Sequence, residues 1–117
     1  MNLSFDQATE VVLKEAHALL ATLDADKVKK FIAHVEKDWP EKRLFFWARG
    51  RSFLVLRGFA MRLMHMGYEV HIVGEVDCPA IGEGDVLIVA SGSGGTSSVL
   101  LMVEKAHQYG AEVVAIV

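Results

Sequence analysis

Three short runs of unbroken apolar residues constrain this chain more than any other feature. They are Leu44-Phe45-Phe46-Trp47-Ala48, Val86-Leu87-Ile88-Val89-Ala90 and Val113-Val114-Ala115-Ile116-Val117. Each is too short for a buried helix and lacks the alternation of a strand with one wet face. Each therefore reads as a strand covered on both sides. Residues 70–73 make a fourth, shorter strand. Segments of helical period separate these runs. One carries Leu54, Val55, Phe59, Leu63 and Met64 and closes at Gly67; the other carries Val99, Leu100, Val103 and Ala106 and closes at Gly110. Strand, helix, strand, loop, strand, helix, strand is the grammar of a parallel sheet joined by right-handed crossovers. The expected fold is α/β, with helices on both faces of the sheet and a flavodoxin-like winding.

A helical hairpin precedes this core. Ser4 and Gln7 have the spacing of a capping box, and Val12, Ala16, Leu19, Leu20 and Leu23 recur at helical spacing after them. Asp24 restarts a second helix whose apolar positions are Val28, Phe31, Ile32 and Val35, and Pro40 is expected to end it. Each helix has one apolar stripe, which must pack on something. The expected organisation is a single domain, with the hairpin over residues 1–39 and the α/β core over residues 43–117. A chain of 117 residues suits one core rather than two.

Composition removes several function classes. No apolar stretch is long enough to span a bilayer, and the first residues lack the basic and apolar regions of a signal peptide. A soluble cytoplasmic protein with no membrane partner is expected. The formal charge is −3, and Lys27, Lys29 and Lys30 are interleaved with Asp24, Asp26 and Glu36. No basic stripe for nucleic acid results. Cys78 is the only cysteine, and the five histidines lack ligand spacing, so neither a metal nor any other cofactor is expected.

Ligands of parallel sheets gather outside the carboxyl ends of the strands, and two loops there carry the chemistry. Ser91-Gly92-Ser93-Gly94-Gly95-Thr96 joins the third strand to a helix that begins with Ser97 and Ser98. Glycines allow close backbone approach, the helix start offers unpaired N–H groups, and the hydroxyls add donors. The set makes a cradle for a phosphate monoester. It lacks the Gly-Lys-Ser/Thr of a Walker loop, and Ser97 stands where a dinucleotide fingerprint would place its third glycine. A Gly/Ser turn with a hydroxyl cap is the plainer alternative. Gly50-Arg51-Ser52 follows the first strand. Arg51 and Ser52 could contact a phosphate or sugar oxygen, or Ser52 could simply cap its helix while Arg51 faces solvent. Glu75 and Asp77 follow the second strand on the same side of the sheet, where solvated loop acids are the simpler reading. No catalytic residue can be assigned.

Several segments, taken in order, resemble a known family. They are Gly50-Arg51-Ser52, Phe59-Ala60-Met61-Arg62-Leu63-Met64-His65-Met66-Gly67, Val73-Gly74-Glu75, Pro79-Ala80-Ile81-Gly82-Glu83-Gly84-Asp85, and Ser91-Gly92-Ser93-Gly94 with Thr96-Ser97-Ser98. Over about residues 43–117 the chain is similar to the 6-phospho-3-hexuloisomerase family, within the sugar-isomerase (SIS) domains. The resemblance implies interconversion of D-arabino-hex-3-ulose 6-phosphate and fructose 6-phosphate through an enediol(ate). It also implies that Ser52 and the loop from Ser91 to Thr96 bind a phosphorylated sugar, and that the protein is a homo-oligomer, commonly a tetramer. Ala48, Arg49 and Phe53 depart from the family's small residues in the first loop, and Leu56 is bulkier. Gly95 stands where an acidic residue is frequent. The family continues past the strand matching residues 113–117, and that later part supplies its catalytic glutamate. The alternative is a non-catalytic sugar-phosphate-binding or oligomerising SIS domain without the base.

Overall fold

The computed structural model describes residues 2–92 and 96–117, and its contacts divide into two units, one up to His34 and one from Val35 onward. The first unit holds helices α1 (Phe5–Ala21) and α2 (Ala25–Ala33). The expected capping box is present: Ser4 Oγ accepts from the Gln7 N–H at 3.2 Å, and the Ser4 N–H donates to Gln7 Oε1 at 3.0 Å. Asp24 caps α2 by accepting from the Asp26 N–H at 2.9 Å. Neither helix buries a single residue, so the apolar stripes expected to pack are left open to solvent. Two helices alone remove too little surface from water to build a core.

The second unit begins differently from expectation. Pro40 does not end α2, which stops at Ala33; a π-helical turn (His34–Asp38) and a 3-10 turn (Trp39–Glu41) follow. Pro40 lies in the first turn of the latter, where its missing N–H deprives no helical acceptor. Trp39 is fully buried. The Tyr68 hydroxyl donates to the Val35 carbonyl at 2.7 Å, which fixes the start of this unit against the end of the first crossover.

Next come β1 (Arg43–Ala48), α3 (Arg51–His65), β2 (Glu69–Ile72), β3 (Val86–Ala90), α4 (Ser97–Gln108) and β4 (Glu112–Ile116). The four strands form one parallel sheet in the order β2-β1-β3-β4. β2 and β4 each start one residue earlier than their apolar runs suggested. The register pairs Leu44 with Val86 and Ala48 with Ala90. From Leu44 to Ala48 and from Val86 to Ala90 every residue is buried or half-buried, as unbroken apolar runs require. Alternation then divides them between two layers. Phe45, Leu87 and Val89 pack with Val99 and Ala106 of α4. Phe46 points the other way and meets Phe59 of α3 edge-on, with ring centroids 6.2 Å apart. Helices thus cover both faces.

The inward stripe of α3 is Leu56, Ala60 and Leu63. Leu54 and Val55, expected on that face, are 73% and 77% exposed. The buried residues follow the i, i+4, i+7 rule, so only a narrow seam meets the sheet. Leu100 of α4 is likewise exposed, while Val99 and Ala106 are buried. Gly110 ends α4 with φ +80, and a Cβ there would sit 3.5 Å from Glu83 Cβ. A glycine therefore serves the helix exit through its positive φ, while the β2–β3 connection passes at ordinary contact distance. No helix among the described residues is long and apolar enough to cross a membrane.

Candidate functional site

The chain winds away from β1 in two directions, through α3 to β2 on one side and from β3 through α4 to β4 on the other. β1 and β3 are neighbours, so the crevice beyond their carboxyl ends is a topological switch point. Because Ala48 pairs with Ala90, the loop after β1 and the loop after β3 leave the sheet side by side. Each leads into a helix, and the amino ends of α3 and α4 both open at this edge.

Neither start is capped by a side chain. Gly50 is the N-cap of α3, with φ 60 and ψ −135, a conformation that a side chain would strain. Ser52, one of the two residues expected at this loop and a possible cap, lies inside the first turn and is half-buried; Arg51 is exposed. Thr96 is the N-cap of α4 and makes no side-chain cap bond. Its Oγ1 instead meets Ser91 Oγ at 2.9 Å, tying the two ends of the serine-glycine loop together. Ser91 is buried, and its N–H donates to the Ile116 carbonyl at 3.0 Å, which extends the β3–β4 ladder into the loop. Gly92 is exposed. Ser93, Gly94 and Gly95, also expected in the cradle, lie outside the described residues. Two uncapped helix starts converging on one edge give N–H groups and dipole ends that favour an anion.

A stack of four side chains borders this edge toward β2, and sequence reasoning identified only part of it. The Trp47 and Phe53 rings meet edge-to-face at 5.3 Å and 65°. The Arg57 guanidinium lies 5.4 Å from the Phe53 centroid, and its Nη2 donates to Glu75 Oε1 at 3.0 Å. The i, i+4 spacing of Phe53 and Arg57 on one helix was the readable signal. Trp47, the penultimate residue of an apolar run, gave none. Glu75, a carboxylate on the ligand side of the sheet, is therefore held in an ion pair.

The remaining titratable groups lie elsewhere. His71 is bound to Glu69 at 2.8 Å and packs on Phe45 at 5.2 Å, within the sheet. His65 lies in the last turn of α3, at the opposite end from the crevice. Cys78 lines a cavity of about 430 Å³ between the β2–β3 connection and α4, with Val73, Ile81, Met102 and Tyr109 among its walls. Burial pushes this thiol up, Asp77 adds to the shift, and Arg43 opposes it. A thiol so raised is a poor nucleophile at neutral pH.

The chain belongs to the SIS-domain family, whose model matches residues 39–117. Among curated proteins it is 51% identical over 74 residues to a 3-hexulose-6-phosphate isomerase of Methylomonas aminofaciens, covering 63% of this chain and 41% of that one. It is 39% identical over 95 residues to the 3-hexulose-6-phosphate isomerase of Bacillus subtilis, covering 81% of this chain and 50% of the relative. Among solved structures it matches a hypothetical protein of Methanococcus jannaschii for which a 3-hexulose-6-phosphate isomerase function has been inferred. That match has a TM-score of 0.70 and 36% identity, covering 79% of this chain and 52% of the other. The chain spans about half the length of the curated relatives it matches.

Proposed function

We propose that this chain is the phosphosugar-binding part of a ketose-phosphate isomerase that interconverts 3-hexulose 6-phosphate and fructose 6-phosphate. The observation that carries the reading is the meeting of two uncapped helix starts at the β1–β3 switch point, in a SIS domain whose relatives bear that enzyme's name. Ser52 and Thr96 donate to the phosphate with the amides of their helix turns, and Ser91 holds Thr96 in place; Ser93, Gly94 and Gly95 join them in this reading from the sequence alone. Arg51 is free to swing toward the ligand from its exposed position. The carbonyl is moved along the sugar through an enediol(ate), and the residue that takes the proton is not among those assigned. The substrate is a cytoplasmic metabolite and the reading places the protein there. Removing both hydroxyls with Ser52→Ala and Thr96→Ala should weaken fructose 6-phosphate binding by about 3 kcal/mol, at roughly 1.5 for each bond to a charged acceptor. That is on the order of 150-fold. Calorimetry showing unchanged affinity would remove the phosphate from this crevice.

A second reading, a sugar-phosphate-binding domain without turnover, is favoured by one observation: Glu75, the carboxylate that follows β2, is engaged by Arg57 at 3.0 Å. A coupled assay for fructose 6-phosphate formation from the 3-hexulose phosphate separates the two. Turnover supports the isomerase, and binding without turnover supports the second reading.

Self-association accompanies either reading. Leu19 and Leu20 of α1 and Leu23 in the turn after it are exposed. Surfaces of this kind pair with another chain or aggregate. In sedimentation velocity the protein is expected to run as a homo-oligomer at micromolar concentration, and a stable monomer would refute this.

A further inference from the structure

We propose that Phe53 is a specificity-determining wall of the phosphate crevice, one that admits open-chain sugar phosphates and turns away their ring forms. The inference rests on the phosphate reading above. Phe53 is the third residue of α3, one position beyond Ser52, and its N–H donates to the Gly50 carbonyl at 3.1 Å. The residue thus belongs to the first turn of the helix whose amino end opens at the crevice. Trp47 meets the ring at 5.3 Å, and Arg57 lies 5.4 Å from its centroid. Arg57 is itself anchored to Glu75 at 3.0 Å. Trp47 is itself packed against the core layer of Phe45, Leu87 and Val89.

The four side chains come from β1, α3 and the segment after β2, so the ring is braced by three separate parts of the chain. A lone aromatic side chain at a helix start could swing aside for a ligand. This one cannot do so without breaking an aromatic contact, a cation–π contact and the geometry of an ion pair. The wall therefore has a fixed position on the β2 side of the crevice.

A ligand whose phosphate is held at the two helix starts must lead its carbon chain past this wall. An extended chain is narrow and passes along it. A furanose or pyranose ring is broader and needs the volume that Phe53 fills, and the half-buried ring gives way only at the expense of its contacts with Trp47 and Arg57. The selected class is the acyclic polyol or keto-sugar phosphate, the form in which a carbonyl is free to react.

The test uses three probes: inorganic phosphate, glucitol 6-phosphate, which cannot cyclise, and 2,5-anhydroglucitol 6-phosphate, which is locked as a ring. Their affinities are measured by calorimetry for the wild-type chain, Phe53→Ala and Phe53→Leu. The open-chain probe is expected to bind wild type at least about tenfold more tightly than the locked ring. Phe53→Ala is expected to improve the locked ring by about fivefold or more, leaving inorganic phosphate and the open chain within about twofold. Phe53→Leu retains more of the packing and is expected to fall between. An unchanged open-to-ring ratio in both variants, with phosphate still bound, overturns the wall and leaves the phosphate site standing. Failure of all three probes to bind wild type overturns the phosphate reading and the wall with it.

Discussion

Replacing Phe45 with alanine is expected to destabilise the second unit by about 3–5 kcal/mol, the usual range for a large aromatic removed from a packed core. Phe45 is 1% exposed and lies in β1, between two neighbouring strands. Its ring belongs to the layer shared with Leu87, Val89, Val99 and Ala106. It also packs on His71 at 5.2 Å and lies under the Arg43 guanidinium at 5.4 Å. Domains of this size are stable by only about 5–10 kcal/mol, so the loss removes a large share of the total. Urea denaturation should show a fall in midpoint without a change in slope, the signature of lost stability rather than an altered unfolded state. Phe45→Leu keeps most of the buried volume and should cost clearly less. A loss below about 1 kcal/mol for Phe45→Ala would show that α4 does not pack on β1 as described.

The second large effect is expected at Asp85, a 5% exposed carboxylate just before β3. Arg43 grips it from the start of β1, Nε to Oδ1 at 2.9 Å and Nη2 to Oδ2 at 2.6 Å, and the Gly82 N–H donates to Oδ2 at 2.7 Å. Arg43 also donates to the Ala80 carbonyl at 3.1 Å, and the Asp85 carbonyl accepts from the Glu112 N–H at 2.9 Å. One acidic residue thus ties β1, the β2–β3 connection and the start of β4 together at the amino edge of the sheet. Asp85→Ala leaves the Gly82 N–H and the guanidinium without their acceptor and should cost about 2–3 kcal/mol.

The effect depends on pH in a definite direction. Burial alone would raise the Asp85 carboxyl, but the hydrogen bonds from Arg43 and Gly82, with the Arg43 charge, hold it below its ordinary value. A carboxyl lowered in the folded state stabilises fully above its unfolded pKa of about 3.9, and the contribution disappears as pH falls through the folded value. Wild type and Asp85→Ala should therefore differ most near neutral pH and converge below about pH 4. A gap that stays constant between about pH 7 and pH 3 would show that the carboxylate charge is not what stabilises this corner.

Within the sequence, the elements of the sheet were legible because their chemistry is local. An apolar run with no polar alternation reads as a strand covered on both faces, and β1 and β3 are so covered; β4 also formed at its run, offset by one residue, but buries none of its residues. The crevice was legible for the same kind of reason. A glycine-serine loop between an apolar strand and a helix places a helix start at the carboxyl edge of a parallel sheet. Ser91 and Thr96 also carry a hydrogen bond that the loop's composition alone did not indicate.

What remained hidden depended on which face each helix turned inward. α3 is apolar around much of its circumference, so periodicity offered Leu54 and Val55 as readily as Leu56. The sheet buried Leu56, Ala60 and Leu63 instead, because residues four and seven apart form the ridge that fits β1 and β2. The Arg43–Asp85 pair joins residues 42 positions apart, and no local pattern announces a partner at that separation. The same holds for Trp47 and Glu75, which reach the Phe53–Arg57 pair only because β2 lies beside β1. The sequence by itself determined the strands, their order of appearance and the loops at the carboxyl edge of the sheet, since each follows from neighbours along the chain. Only the tertiary structure decided the inward faces, the part-buried Arg43–Asp85 pair and the stack of Trp47, Phe53 and Arg57, because those follow from neighbours in space.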